Sequence, residues 1–222
     1  MKSFNKDWEK IHQDNAWGQY PSEDVIRFIA RNFYSFNDRS KIKILDYGCG
    51  AGANTWYLSR EGFDVYAFDG SISAVEKTKQ KLNKDNLKAE LIVADALEIN
   101  YKNNFFDCII DSAVIYANTV ESIKRMYLNI FNILKSNGKL LTTGLFTTNT
   151  SGYGTGVFLE ENTFKDVKNG ILKNRGTAHF FKKDEIYNIL NMIGFVNIKI
   201  GTIKRIEDEI ITEYFIVSAE KK

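Results

Sequence analysis

The stretch Asp46-Tyr47-Gly48-Cys49-Gly50-Ala51-Gly52-Ala53 decides the fold of this chain. It joins an apolar, β-branched run at 41–46 to a segment with helical periodicity at 53–60. Glycines at such a junction let the backbone turn tightly and approach a ligand closely, and the helix start presents unpaired N–H groups. The stretch therefore predicts a strand, a tight turn and a helix, with a ligand at the turn.

The same alternation of strand and helix continues along the chain. Apolar runs typical of strands lie at 41–46, 64–69, 89–93, 106–110, 139–146, 196–200 and 210–217. Helical periodicity lies at 22–36, 53–60, 71–82, 119–134 and 184–193. Parallel strands need crossover helices, so this order predicts an α/β fold with a doubly wound, mostly parallel seven-stranded sheet. The last two runs, separated by the charged residues 204–209, predict a C-terminal antiparallel hairpin.

The chain of 222 residues has the length of one domain. We divide it into an N-terminal helical cap (1–40), a ligand-binding core (41–146), a lid or acceptor segment (147–182) and a C-terminal helix with hairpin (183–222). The third part is rich in Thr, Asn and Gly with weak periodicity, and long connections of this kind are often binding loops.

Composition excludes several classes of protein. The 30 basic and 28 acidic residues give a net charge of +2, which disfavours a nucleic-acid partner. The N-terminus lacks the apolar core of a signal peptide, and no apolar run reaches the ~18–20 residues that span a bilayer. Cys49 and Cys108 predict neither a disulfide framework nor a metal site, and favour the cytoplasm. The oligomeric state stays open.

Two acidic residues follow the next strands. Asp69, with Gly70 and Ser71, ends the second strand, and Asp95, with Ala96, follows the third. Open α/β sheets bind ligands at the carboxyl ends of their strands. An acid about twenty residues after the glycine loop is suited to hold ribose hydroxyls.

Two ligands compete for this arrangement. Gly48, Gly50 and Ala53 satisfy the dinucleotide fingerprint G-x-G-x-x-G/A, which would make the protein an NAD(P)-dependent oxidoreductase. Asp46, in front of the glycines, would place negative charge near a pyrophosphate, whereas it suits a ligand that carries a sulfonium and an ammonium. No Tyr-x-x-x-Lys occurs in the chain to support a short-chain dehydrogenase.

Read as D-x-G-x-G-x-G over 46–52, the loop resembles the first motif of class I S-adenosylmethionine-dependent methyltransferases, which have a Rossmann-like fold. The resemblance extends over most of the chain, through the strand at 106–111 and the passage at 133–140, where Ser136 and Asn137 replace the usual Pro-Gly. It implies S-adenosylmethionine as cofactor. It also implies a donor site made of Asp46, Gly48, Cys49, Gly50, Gly52, Asp69, Gly70, Ser71, Asp95, Ala96 and Asp111.

The N-terminal segment 8–22 resembles the cap of a bacterial subgroup that acts on small molecules or glycans. Its aromatic residues Trp17 and Tyr20 are candidates to close over the donor or the acceptor. The expected reaction is an in-line transfer of a methyl group to an oxygen or nitrogen atom of a small-molecule or glycan acceptor. A binding partner that holds S-adenosylmethionine without catalysis is the alternative from another class.

An alcohol or ammonium acceptor benefits from a general base. His179 is the first candidate, because it precedes a helix just after the lid segment, and His12 in the cap is the second. Asp111, past the fourth strand, is a further candidate to act as base or to orient the acceptor. A helix-entry role for His179 and a solvated strand end for Asp111 are the structural alternatives.

Overall fold

Ten strands and six helices make up the structure, a computed structural model that describes residues 3–222. The strands are β1 (Lys43–Tyr47), β2 (Asp64–Asp69), β3 (Glu90–Val93), β4 (Phe106–Ser112), β5 (Leu134–Phe146), β6 (Val157–Glu160), β7 (Thr163–Lys165), β8 (Thr177–His179), β9 (Phe195–Glu207) and β10 (Ile210–Lys221). The helices are α1 (Asp7–Asp14), α2 (Glu23–Phe33), α3 (Ala53–Arg60), α4 (Ile72–Lys84), α5 (Val120–Ile133) and α6 (Lys183–Ile193).

A seven-stranded sheet in the order β3-β2-β1-β4-β5-β10-β9 forms the centre of the molecule. Strands β3, β2, β1, β4 and β5 are parallel to one another. Strand β10 is antiparallel to both of its neighbours, β5 and β9. The predicted Rossmann-like fold, with its C-terminal antiparallel pair, is therefore confirmed. The carboxyl ends of β1, β2 and β4 meet at one edge, where Tyr47 is in register with Phe68 and Asp111.

Both faces of the sheet are covered. Ile44 and Ile110 pack among the buried side chains of α2 and α3 on one face. Leu45 and Ile109, each next to one of these residues on the same strand, pack with α5 and α6 on the other face. This alternation is what the pleat of a strand imposes, and burial on both faces explains why the central strands are continuously apolar.

Two boundaries differ from the sequence prediction. Helix α5 ends at Ile133, ahead of Asn137-Gly138, and β5 begins at once with an irregularity opposite β4. The charged residues 204–209 are not a connection between strands. Most of them extend β9, and Asp208 and Glu209, both with positive φ, form the hairpin turn. Hydrogen bonding to β10 outweighs the unfavourable composition of this exposed edge strand.

The segment 147–182 is more regular than its composition predicts. It contains β6, β7 and β8, which form a small antiparallel sheet in that order. Its first residues are tied to β10, because Thr150 Oγ donates to the Glu213 carbonyl at 2.5 Å and the Ser151 N–H donates to the Ile211 carbonyl at 2.8 Å. Strands of three or four residues leave almost no periodic signal in a sequence, which is why this sheet was not foreseen.

Candidate active site

The glycine loop has a backbone that only glycine tolerates well. Gly48, Gly50 and Gly52 all have positive φ, between 53° and 81°. A Cβ atom at Gly48 would lie 2.5 Å from the side chain of Val114, and one at Gly52 would lie 2.7 Å from that of Thr78. The loop is held by its own neighbours, since the Thr78 hydroxyl donates to the Gly50 carbonyl at 2.9 Å. The glycines therefore bring the loop, α4 and the end of β4 into close contact.

Asp46 lies beneath the loop and does not border the cavity described below. Its carboxylate accepts hydrogen bonds from the Thr55 hydroxyl at 2.5 Å and from the Asn54 amide at 3.4 Å. Burial raises the pKa of Asp46 to about 6, against the opposing effect of these bonds. The residue thus anchors the first turn of α3 to the end of β1.

Asp69 reaches the cavity directly. One carboxylate oxygen accepts from the Gly50 N–H and the other from the Ser71 N–H, each at 2.9 Å. Each oxygen keeps a further acceptor position, so the side chain can still accept two hydroxyl groups. Gly70 also lines the cavity, whereas Ser71 is buried and caps α4 by accepting from the Ala74 N–H.

The N-terminal segment contacts the chain just after β3, at the carboxyl end of that strand. Asp95 accepts hydrogen bonds from the Ser3 N–H, the Ser3 hydroxyl, the Phe4 N–H and the Leu97 N–H. Burial acts to raise the pKa of Asp95, but these hydrogen bonds outweigh it and the pKa lies below its usual value. Asp95 is itself behind the surface of the cavity, which Ala96 and Phe4 line.

Asp111 is also buried behind the cavity wall. Its carboxylate accepts from the Val114 N–H at 3.0 Å, from the Ile115 N–H at 3.3 Å and from the Thr142 hydroxyl. Burial raises the pKa of Asp111 to about 7. The prediction that it faces the ligand is corrected: the residues after it, Ser112 to Val114, line the cavity, and Asp111 holds their turn.

His179 does not lie where a base in the cavity would have to be. It is 1% exposed at the end of β8, outside the cavity lining. Its Nδ1 is 2.7 Å from the Thr163 hydroxyl and its Nε2 is 3.0 Å from the Glu185 carboxylate. Both ring nitrogens are therefore engaged in joining β7, β8 and α6, which is the structural alternative for this residue.

His12 does line the cavity. It lies on α1 in an aromatic group with Trp8 and Trp17, at centroid distances of 6.0 Å and 4.9 Å. Its Nδ1 is buried and has no hydrogen-bond partner among residues 3–222. Burial lowers the pKa of the ring, although the nearby Asp69 carboxylate opposes the shift. Of the two histidines, His12 is therefore the one that lines the cavity.

The glycine loop, Asp69 and His12 line one cavity of about 360 Å³. It lies between the strand ends and the N-terminal cap, within the size range of small-molecule sites. The predicted Gly48, Cys49, Gly50, Trp17 and Tyr20 line it, and Gly52 does not. Residues that the sequence analysis did not single out for this site also line it: Phe4, Trp8, Tyr116, Asn118, Met126, Phe146, Ile171, Leu172 and Arg175.

Some of these residues were detectable from the sequence and others were not. Asn118 follows the fourth strand, where functional loops of such sheets occur, and that position was a usable signal. Phe4, Ile171 and Arg175 lie in segments without periodicity, so only the folded chain shows that they meet at one cavity.

Comparisons with known proteins show which proteins this chain is similar to. Residues 44–138 match the family model described as "Methyltransferase domain". The chain is 29% identical over 203 residues to the ubiquinone biosynthesis O-methyltransferase of Rickettsia typhi, covering 86% of this chain and 79% of that protein. It spans 61% and 63% of two further Rickettsia relatives with the same name.

Solved structures show the same fold. A SAM-dependent methyltransferase of Methanosarcina mazei superposes with a TM-score of 0.69 at 22% identity, covering 81% of this chain and 92% of that one. The phosphoethanolamine N-methyltransferase 2 of Haemonchus contortus, solved with S-adenosyl-L-methionine, gives a TM-score of 0.68 at 16% identity, covering 97% and 56%.

Fold, glycine loop and relatives together define an enzyme that uses S-adenosyl-L-methionine. The matched family model, the methyltransferase relatives and the shared fold support a class I S-adenosylmethionine-dependent methyltransferase. Neither an NAD(P)-dependent oxidoreductase nor a non-catalytic partner finds support in these comparisons.

Two further observations concern the residues that the structure describes. No helix in residues 3–222 is long and apolar enough to cross a membrane. The same residues contain no group of three or more His, Cys, Asp and Glu side chains arranged to hold a metal ion.

Proposed function

We propose that this enzyme methylates an oxygen atom of a small-molecule acceptor bound in the cavity under the N-terminal cap. The observation that carries the proposal is the make-up of that cavity. The glycine loop and Asp69 form one part of its wall, while Trp8, Trp17, Tyr116 and Phe146 give the rest an aromatic surface. A largely aromatic cavity of about 360 Å³ suits a small flat or apolar molecule, because a longer chain exceeds its volume. The relatives that are named as O-methyltransferases support oxygen as the acceptor atom.

The donor site is proposed residue by residue. S-adenosylmethionine supplies a methyl group that is already activated by a sulfonium. Asp69 has acceptor positions left for the two ribose hydroxyls, and Gly48 and Gly50 let the backbone lie close to the ligand. Ala96, beside Asp95, borders the end of the cavity that is expected to hold the adenine of the donor. Trp17 and Tyr20 cover the cavity from the cap and limit the access of water.

We assign the general base to His12. A base must accept a proton from the acceptor, and this imidazole lines the cavity and has a lowered pKa. Asp69 nearby would stabilise the imidazolium after the proton has moved. Asp46 and Asp111 are proposed as positioning residues, because each holds a turn that lines the site. The free, buried Cys49 and Cys108 support the expected cytoplasmic location.

Methyl-labelled S-adenosylmethionine tests the acceptor class. The enzyme is incubated with fractionated small metabolites and, separately, with glycans, and mass analysis locates the added methyl group. We expect a small molecule to gain it on oxygen. Labelling confined to glycans or to nitrogen atoms would contradict the proposal.

The base is tested by comparing the two histidines. His12→Gln should lower kcat by roughly 10²–10⁴-fold, the usual contribution of general base catalysis, while the affinity for S-adenosylhomocysteine stays within a few-fold. The matched variant His179→Gln should keep kcat in the fraction that folds, because His179 lies outside the cavity. Equal loss of kcat in both variants would count against His12.

A further inference from the structure

Arg175 occupies an unusual place in the cavity. It lies in the turn between β7 and β8, just before Gly176, and it is partly buried. Ile171 and Leu172 from the same turn line the cavity with it. The segment 147–182 therefore contributes a cation as well as apolar side chains to the wall.

The guanidinium has no anionic partner within the described chain. Among residues 3–222, no carboxylate forms a salt bridge with Arg175 and no acceptor takes a hydrogen bond from its side chain. Its neighbour is the indole of Trp17, whose ring centroid lies 5.9 Å from Cζ. A guanidinium in a partly desolvated place has five donors to satisfy, and planar oxyanions match them in pairs.

The charges of the cavity are separated. Among the described lining residues, Asp69 is the carboxylate and Arg175 the guanidinium, with no other Asp, Glu, Lys or Arg. Asp69 ends β2, next to the end covered by Phe4. Arg175 lies instead near Tyr116, whose ring packs against Phe146 at the end of β5 with a centroid distance of 4.8 Å. Strands β1 and β4 separate β2 from β5, so the strand end that carries Asp69 is not adjacent to the one that carries Phe146.

We propose that Arg175 determines acceptor specificity by binding an anionic group, a carboxylate or a phosphate, on the acceptor. This inference rests on the proposed function, because it places the acceptor beside Tyr116 and Phe146. The Trp17 ring makes a cation–π contact with the guanidinium at 5.9 Å, and Arg175 lines the cavity with its N–H donors available to an oxyanion. The acceptor is then a flat or apolar small molecule with one negative group at a fixed distance from the oxygen that is methylated.

Binding measurements test the inference without turnover. Calorimetry in the presence of S-adenosylhomocysteine compares benzoate and phenyl phosphate with the neutral benzamide. We expect the wild-type enzyme to bind at least one of the two anions at least tenfold more tightly than benzamide, and Arg175→Gln to abolish that preference. Arg175→Lys should recover part of it, because it restores the charge but not the planar fork. The exposed neighbour Lys173 provides the control, and Lys173→Gln should bind like the wild type.

The alternative anionic ligand of Arg175 is the carboxylate of the donor, S-adenosylmethionine. S-adenosylhomocysteine carries this carboxylate and methylthioadenosine lacks it. If Arg175 binds the acceptor, Arg175→Gln binds both compounds as the wild type does. If the variant loses affinity for S-adenosylhomocysteine alone, Arg175 belongs to the donor site and the inference is wrong.

The outcomes also separate this inference from the proposed function. Wild-type enzyme that binds S-adenosylhomocysteine but prefers neither anion overturns the role of Arg175 and leaves O-methylation standing. A labelled methyl group found only on metabolites that anion-exchange resin does not retain has the same consequence. Labelling confined to glycans overturns the proposed function, whatever the anion binding shows.

Discussion

At the scale of single residues, Asp69 is the residue on which the proposed donor site depends most. Its carboxylate is fixed by two backbone N–H groups, so it enters binding already oriented. Asp69→Ala should weaken the binding of S-adenosylhomocysteine by a few kcal/mol, the scale of hydrogen bonds to a charged group. Calorimetry measures the loss, with the exposed Asp184→Ala as control. Unchanged affinity in a folded Asp69→Ala protein would exclude this residue from the ribose site.

Asp111 makes the stability of the enzyme depend on pH. Its pKa is raised to about 7 in the folded state, above that of the unfolded chain, so the native state binds the extra proton between about pH 4 and pH 7. The free energy of unfolding therefore falls as the pH rises through this window. Asp111→Asn keeps the hydrogen bonds to Val114, Ile115 and Thr142 but carries no titrating proton.

Urea unfolding at pH 5 and pH 8 measures this contribution. The wild type should lose on the order of 2 kcal/mol more than Asp111→Asn between the two pH values, since one pKa unit corresponds to ~1.4 kcal/mol. A smaller slope remains in the variant from Asp46, whose pKa is raised to about 6. Equal losses in the two proteins would show that Asp111 does not titrate in this range.

Residue-level prediction from sequence succeeds where the cause is local. The positive φ of Gly48, Gly50 and Gly52 follows from a tight strand-to-helix turn, and the motif shows it directly. The choice between His12 and His179 has no local cause. It depends on how α1 and β8 dock in the folded chain, and the sequence analysis accordingly favours the wrong histidine for the cavity.

At the scale of elements, helix α1 supplies Trp8 and His12 to the wall of the cavity. Glu9 attaches it to the start of α4 by accepting from the Ser71 hydroxyl at 2.6 Å and the Ser73 hydroxyl at 2.5 Å. A carboxylate is favourable there, because the first turn of a helix presents unpaired N–H groups and positive partial charge. The hydrogen bonds from Ser71 and Ser73 lower the pKa of Glu9 below its usual value.

Glu9→Gln should loosen this attachment. We expect faster hydrogen exchange over Asp7–Asp14 and severalfold weaker binding of S-adenosylhomocysteine, because His12 and Trp17 lose their support. Glu121→Gln, at the exposed start of α5, is the matched control. Unchanged exchange over α1 would mean that its aromatic contacts alone hold the helix.

The elements themselves are predictable to different degrees. Helix α3 and strand β2 have the bounds that periodicity predicts, because their apolar pattern is continuous and their ends carry turn residues. The sheet of β6, β7 and β8 depends on pairing among three very short strands, and the residues before it, Thr150 and Ser151, are tied to β10, which no local pattern encodes.

At the scale of the whole molecule, the topology makes one edge of the sheet the place for chemistry. Parallel strands bring Asp46, Asp69 and Asp111 to the same edge, and the sequence order alone predicts this convergence. The cover over that edge comes from parts distant in sequence, the N-terminal cap and the turn before β8. The fold and the part of the cavity wall formed by the glycine loop and Asp69 are therefore predictable from sequence, whereas the cover over that edge is known only once the chain is folded.

The most direct test of the account is calorimetric titration of the wild-type protein with S-adenosylhomocysteine and, separately, with NAD. The account predicts one tight site per chain for S-adenosylhomocysteine, lost in Asp69→Ala, and no binding of NAD. Tight binding of NAD without binding of S-adenosylhomocysteine would contradict it.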